Sequence, residues 1–249
     1  MPALSEIVTA CDEWTRRSEI ADFPGAENGL QLENPGTVTK IGAAVDAGLV
    51  PIREALERKI DLLICHHGLF WNPPVPLVGP AYRKIAEAVQ GGLALYSSHL
   101  PLDAHPEIGN NALLARALDL PVIDSFLPYE GTPIGLVTEG LALEDLKTRL
   151  KQLFPHTHTF ITFGDPHPAR IAILTGSGAS ALGALPPGVD TLITGELKQH
   201  HFNLAQENGL NLLLGGHYAT EVFGVKALAR KASQSFNVPW EFIDTACPL

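Results

Sequence analysis

Apolar positions along the chain recur with two periods. Leu4, Ile7, Val8, Cys11 and Trp14 are spaced as one face of a helix and predict a helix over 4–17. A turn at Glu27-Asn28-Gly29 leads into a short extended piece ending at Leu32. From there short apolar runs alternate with helical patterns. Strands are predicted at 40–45, 62–65 and 93–97, with helices at 50–58, 82–90 and 111–118. Gly91-Gly92 stops the second of these helices, and Asn110 is placed to cap the third. A second series begins near Leu120-Pro121, with strands at 134–138, 159–163, 170–174, 191–193 and 211–214. Its helices fall at 143–153, 197–208 and 219–236. Proline-rich joints at 72–76 and 165–168 read as loops. The rhythm predicts an α/β protein with mainly parallel sheets in two lobes, 1–120 and 121–249, the C-terminal helix being free to pack on the first. Both halves share that rhythm, a hint of internal duplication.

Chemistry concentrates where the apolar runs stop, which is where α/β proteins place their sites. The run Asp61-Leu62-Leu63-Ile64-Cys65 ends in His66-His67. Neighbouring side chains on an ideal strand point to opposite sides. Two adjacent metals could therefore take one imidazole each, or one metal both if the chain bends. The run beginning at Leu93 ends in Ser97-Ser98-His99, with Asp103 four residues beyond His99. The run beginning at Leu210 ends in Gly215-Gly216-His217, with Glu221 four residues on. If a helix starts near His217, then His217 and Glu221 share a face and can hold a metal. Thr194-Gly195-Glu196 is a further polar strand end, where Glu196 reads either as a helix-start carboxylate or as a site residue.

Composition narrows the classes. The chain has 249 residues, 45% of them hydrophobic and 18% charged, enough for a sizeable core. A net charge of −10 speaks against nucleic-acid or anionic-membrane binding through bulk charge. Three cysteines form no Cys-x-x-Cys pair, which fits a reducing, cytoplasmic setting. Cys65 reads as a small buried strand residue. No stretch is long and apolar enough to span a membrane. Gly176-Ser177-Gly178-Ala179-Ser180 lacks the Lys-Ser/Thr ending of a P-loop and reads as a structural turn. No Gly-x-Ser-x-Gly elbow is present. His200 and His201 are expected on a solvated helix face, and His156, His158 and His167 in exposed loops.

Four segments occur together in order: Ile64-Cys65-His66-His67-Gly68-Leu69-Phe70-Trp71, Ser98-His99-Leu100-Pro101-Leu102-Asp103, Thr194-Gly195-Glu196 and Gly216-His217-Tyr218-Ala219-Thr220-Glu221. With Glu27-Asn28-Gly29-Leu30-Gln31 they resemble the Nif-three-like (NGG-interacting-factor-three-like) family of dinuclear metal proteins, often labelled GTP cyclohydrolase I type 2 homologues. The resemblance implies two α/β lobes facing each other across a metal-lined cleft, and assembly as a toroidal homohexamer. It implies His66, His67, Asp103, His217 and Glu221 as metal ligands, with His99 and Glu196 beside them in supporting or catalytic roles. Gly68 stands where a proline usually follows the histidine pair, and Pro101 alters the segment before Asp103. Neither change replaces a ligand.

Imidazole and carboxylate donors suit two divalent ions from among Zn, Mn, Fe, Co and Ni. A water between two such cations is acidified and the scissile group polarised. The expected function is therefore metal-dependent hydrolysis of a small, nucleotide-like substrate, with His99 or Glu196 shuttling the proton. A non-enzymatic metal-binding scaffold and a GTP cyclohydrolase I type 2-like activity are the alternatives. The acidic chain shows no evident clamp for a triphosphate.

Overall fold

Strand–helix–strand repeats build the first sheet, as the apolar spacing predicts. The computed structural model describes residues 1–71 and 75–248. Strands β2 (Ile41–Asp46), β3 (Leu62–His67) and β4 (Ala94–Ser97) run parallel. Helix α2 (Leu49–Glu57) joins the first two, and α3 (Gly79–Gln90) joins β3 to β4. Strand β1 (Gly29–Leu32) pairs antiparallel with β4 at one edge. Strand β11 (Trp240–Phe242) pairs parallel with β2 at the other. Three parallel pairs and covering helices explain why β2 and β3 are buried almost without alternation. Their core side chains Ala44, Leu63 and Cys65, with Leu95 of β4, pack with Ile52 and Ala55 of α2 and with Ile243.

The chain divides into two compact units. One comprises Met1–Leu102 with Gly224–Ala246, the other Asp103–Phe223 with the residues from Cys247. The division thus falls at Leu102, not at residue 120, and the second half of the C-terminal helix α9 (His217–Phe236) belongs to the first unit. The physical reason lies in helix α5 (Asn110–Ala117). Leu114, with Leu118 just beyond the helix, buries against Leu146, Ile171, Ile193 and Leu213 of the second unit.

In the second unit a six-stranded sheet has the order β5-β6-β8-β9-β10-β7. Strands β8 (Arg170–Ser177), β9 (Thr191–Glu196) and β10 (Asn211–Leu214) run parallel. The hairpin β5 (Val122–Tyr129) and β6 (Thr132–Glu139) adds antiparallel strands on one side, and β7 (Thr159–Thr162) adds one on the other. The parallel arrangement therefore holds at the middle of this sheet and gives way at its flanks.

Helix α6 (Leu143–Leu153) lies where the spacing places it, and α1 (Leu4–Trp14) ends three residues early. Four local expectations change. The N-cap of α5 is Gly109, and Asn110 turns its amide to Asp103 instead. Helix α8 (His201–Asn208) starts later than residue 197, so Glu196 ends β9 and is not in a helical first turn. His201 is buried, its Nδ1 accepting from the Lys198 amide at 3.0 Å, and is not on a solvated face. His158 is half-buried, its Nδ1 2.7 Å from the Phe154 carbonyl oxygen. The proline-rich joint expected at 72–76 lies, for its first three residues, outside the described residues.

Candidate functional site

Parallel register brings the C-terminal ends of three strands of the first unit level with one another. Asp46 of β2 pairs with His67 of β3, and Cys65 of β3 pairs with Ser97 of β4. His66 and His67 therefore end their strand between Asp46 on one side and Ser98-His99 on the other. The ligand atoms of His66, His67 and His99 lie within 4.8 Å of one another. The two adjacent histidines thus do not diverge as on an ideal strand: their ring centroids are 4.8 Å apart, and His99 is 4.9 Å from His66. The rings are drawn together because each is anchored through Nδ1. His66 Nδ1 is 2.9 Å from the Ser98 carbonyl oxygen. His67 Nδ1 is 2.9 Å from Asp46 Oδ1, and His99 Nδ1 is 2.8 Å from Asp22 Oδ1. Oxygen partners at Nδ1 fix the tautomer and aim Nε2, which is how metal-binding imidazoles are held.

Aromatic side chains flank this cluster. Trp71 meets His99 edge-on at 5.1 Å and lies 5.8 Å from His67, its indole N–H donating to the Gly68 carbonyl. Phe23 lies 5.8 Å from the His99 ring. Glycine at position 68 is required by this packing. A Cβ there would run into the Gln31 amide and Ser97 Oγ, and Gln31 Oε1 accepts from the Leu69 amide at 2.6 Å. Cys65 is fully buried, and burial pushes its thiol up.

In the second unit, helix α9 starts at His217, so His217 and Glu221 share its first turn as the spacing predicts. His217 Nε2 is 3.2 Å from Glu221 Oε1, and His217 Nδ1 is 3.0 Å from Glu196 Oε1. The hydrogen bond to Glu221 raises the His217 pKa to about 9, against desolvation and with help from the charges of both carboxylates. Glu221 is buried, whereas Glu196 is half-exposed. Gly176, at φ +67°, makes room for this pair, because a Cβ there would overlap Glu221 Oε1. Its backbone N–H donates to Thr220 Oγ1 at 3.0 Å, which ties the β8 end to α9. The Gly176–Ser180 segment carries the end of β8 into the short helix α7 (Ala179–Leu182), the structural strand-to-helix turn that its sequence predicts.

Asp103 closes the short helix α4 (Leu100–Asp103), and its Oδ1 accepts from Asn110 Nδ2 at 2.7 Å. It is in no group of three described side chains whose ligand atoms approach within 4.8 Å. The structure thus gathers His66, His67 and His99 in one unit, and Glu196, His217 and Glu221 in the other. Asp22, Asp46 and Trp71 are the residues that sequence reasoning missed. Asp46 ends the apolar run 41–45 and would have been found by the strand-end rule. Asp22 sits in a loop with no periodic signal.

The donor set fits divalent metal ions. Anchored imidazoles are borderline donors and the buried carboxylate is a hard one, a mixture suited to first-row transition ions and zinc. The family model described as "Duf34/NIF3 (NGG1p interacting factor 3)" matches residues 2–248. A Deinococcus radiodurans protein named GTP cyclohydrolase 1 type 2 homolog is 41% identical over 244 residues, covering 96% of this chain and 92% of that one. A Pyrococcus horikoshii protein of the same name is 36% identical over 251 residues, covering 98% of each. The crystal structure of TTHA1606 from Thermus thermophilus superposes with a TM-score of 0.87 at 41% identity, covering 99% of this chain and 100% of that one. Reduced HcgD from Methanocaldococcus jannaschii superposes with a TM-score of 0.81 at 25% identity, covering 97% and 98%.

Proposed function

Given that the chain belongs to the DUF34/NIF3 family, we propose that it is a metal-dependent hydrolase of a small molecule. In this reading His66, His67, Asp103, His217 and Glu221 hold two divalent ions, and His99 and Glu196 move protons. The observation that carries it is the anchoring of three imidazoles through Nδ1 with their ligand atoms within 4.8 Å of one another, the way metal-binding imidazoles are held. The bound ions would supply Lewis acidity toward the scissile group and toward water.

The chain's own residues supply the rest. His99 Nε2 is placed to take a proton while Asp22 holds the other ring nitrogen. Glu196 steadies the His217 ring and, being half-exposed, links it to solvent. Trp71 and Phe23 offer apolar walls beside His99. A nucleotide substrate is favoured by the names of the relatives, which are called GTP cyclohydrolase 1 type 2 homologues. The net charge of −10 weighs against a triphosphate. The same family reading makes the chain a homohexamer, to be checked by light scattering. Its three free cysteines fit a cytoplasmic setting.

The test is metal content by elemental mass spectrometry after incubation with Zn, Mn, Fe, Co or Ni, followed by turnover of bis(4-nitrophenyl) phosphate, 4-nitrophenyl acetate and GTP. About two ions per chain are expected, fewer in His217→Ala and Glu221→Ala. His99→Gln and Glu196→Gln should keep metal and lose turnover. Absence of metal with all five ions overturns the reading. Metal without turnover of any substrate moves the protein to a non-enzymatic metal-binding role.

A further inference from the structure

The segment Asp22 to Gln31 contains the Asn28-Gly29-Leu30-Gln31 motif, to which the proposed ligand set gives no task. The structure shows it bracketing the first unit's imidazoles from two sides. Gln31 receives the Leu69 amide, two residues beyond His67. Asn28 Oδ1 accepts from the backbone N–H of His99 at 2.7 Å, and Asn28 Nδ2 donates to Asp22 Oδ2 at 2.8 Å. Asp22 Oδ2 also accepts from the Leu100 N–H at 3.0 Å, and Asp22 Oδ1 from the Phe23 N–H at 2.7 Å. His99 Nδ1 lies 2.8 Å from the same carboxylate, whose side chain is only 4% exposed.

We propose that Asp22, clamped by Asn28, is a positioning residue that holds His99 as the Nδ1–H tautomer and so leaves the Nε2 lone pair turned toward His66 and His67. Three of these partners, the two backbone N–H groups and the Asn28 amide, are obligatory donors. Of the four, only His99 can be either donor or acceptor at Nδ1, so the carboxylate decides its tautomer. Asp22 is also held ionised. Burial pushes its carboxyl up, but the hydrogen bonds from His99, Asn28 and the Phe23 N–H act in the opposite direction and lower its pKa.

The substitution Asp22→Asn sharpens the inference. An amide has one acceptor oxygen, and two obligatory donors converge on the Oδ2 side, from Asn28 and Leu100. The amide oxygen settles there. The NH₂ then faces His99, whose Nδ1 becomes the acceptor and whose proton moves to Nε2, and the Phe23 N–H, the one donor on that side, gives up its acceptor. The lone pair that the cluster uses is lost without any change in shape.

The consequence for turnover rests on the hydrolase reading, but the tautomer does not. Long-range ¹H–¹⁵N correlation spectra of metal-free, ¹⁵N-histidine-labelled protein report it directly, with His99→Gln giving the assignment. The wild type should show His99 protonated on Nδ1. In Asp22→Asn the protonated and unprotonated ¹⁵N positions should exchange between the ring nitrogens, with His66 and His67 signals preserved and melting still cooperative, at a lower temperature because the Phe23 N–H loses its acceptor. A wild-type Nε2–H tautomer overturns the proposal whether or not the variant folds, and so does an unchanged tautomer in a folded Asp22→Asn. If the protein proves to bind no metal, the hydrolase reading falls and the tautomer result stands. If metal and turnover are present, Asp22→Asn should keep the metal and lose turnover by about 10²-fold or more.

Discussion

Replacing Gly176 with alanine puts a methyl group where the Glu221 carboxylate lies. Two costs follow, and the structure provides a way to separate them. Gly176 has φ +67°, and an L-residue held in that region costs about 1–2 kcal/mol. The added Cβ would also overlap Glu221 Oε1 and come within 3.2 Å of His217 Nε2. Glu221 cannot swing into solvent, since its side chain is only 4% exposed. It must rotate away from His217, giving up a charge-assisted hydrogen bond of about 1.5–3 kcal/mol. Gly176→Ala should therefore destabilise the metal-free protein by about 2–5 kcal/mol in urea unfolding with chelator present. Gly188 has φ +77°, and a Cβ added there would meet nothing within 4 Å, so Gly188→Ala should show the backbone cost alone. In a Glu221→Ala background the obstacle is gone, and the further cost of Gly176→Ala should fall to that of Gly188→Ala. If Gly176→Ala costs no more than Gly188→Ala in the wild-type background, the packing of Glu221 against β8 is not as described. Gly176 then does not make room for the His217–Glu221 pair.

Three further outcomes are expected. His217 titrates near 9 in the fold against about 6.5 when unfolded, so its stabilisation is complete below about pH 6.5 and is lost as pH rises through about 9, a ceiling of about 3 kcal/mol. Urea unfolding with chelator should show the gap between wild type and His217→Gln closing over that window, and a gap independent of pH would contradict the pairing. Gly68→Ala should destabilise by about 1–3 kcal/mol through contact with the Gln31 amide and Ser97 Oγ, with the Gln31 share relieved in a Gln31→Gly background and the Ser97 share retained; equal losses in both backgrounds would refute the Gln31 contact. Among the thiols, Cys247 is partly exposed while Cys11 and Cys65 are buried, and burial raises the Cys11 pKa to about 12. One of the three should react quickly with a disulfide reagent in native protein, and rapid reaction of all three would show that the core opens.

How far the fold was legible depended on periodicity. Helix α6 and strand β10 fall where their spacing puts them because each pattern is long or sharply bounded. Strand β5 was not read, because its Val122–Tyr129 sequence carries Pro128 and its first four residues are all exposed, so no alternation marks it. Strand β11 is three residues long and only half-buried, too short for any period to show. The true start of α8 was hidden for another reason. Residues 197–200 suit a helix by propensity, yet the His201 side chain accepts the Lys198 N–H and forms a local turn that competes with it.

The candidate site was legible wherever chemistry coincides with a strand end, and illegible wherever it depends on what lies across the sheet. His66, His67, His99, Glu196 and His217 each end or follow an apolar run, and Glu221 follows from helical spacing alone. What makes those imidazoles competent is the oxygen at each Nδ1, and none of the oxygens that anchor His66, His67 and His99 is near in sequence. Asp46 reaches His67 because β2 and β3 are parallel and in register across 21 positions. Ser98 reaches His66 across 32, and Asp22 reaches His99 across 77. The expectation that adjacent histidines diverge was sound for an isolated strand. It gave way because both sit at the open end of the ladder, where side-chain anchors from neighbouring elements set ring direction more strongly than the pleat does. Sequence supplied the donors; register and loop closure supplied the anchors. The variants that discriminate best between a metal site and a histidine-rich core are therefore at Asp22 and Asp46, which leave every proposed ligand in place and change only what holds the rings.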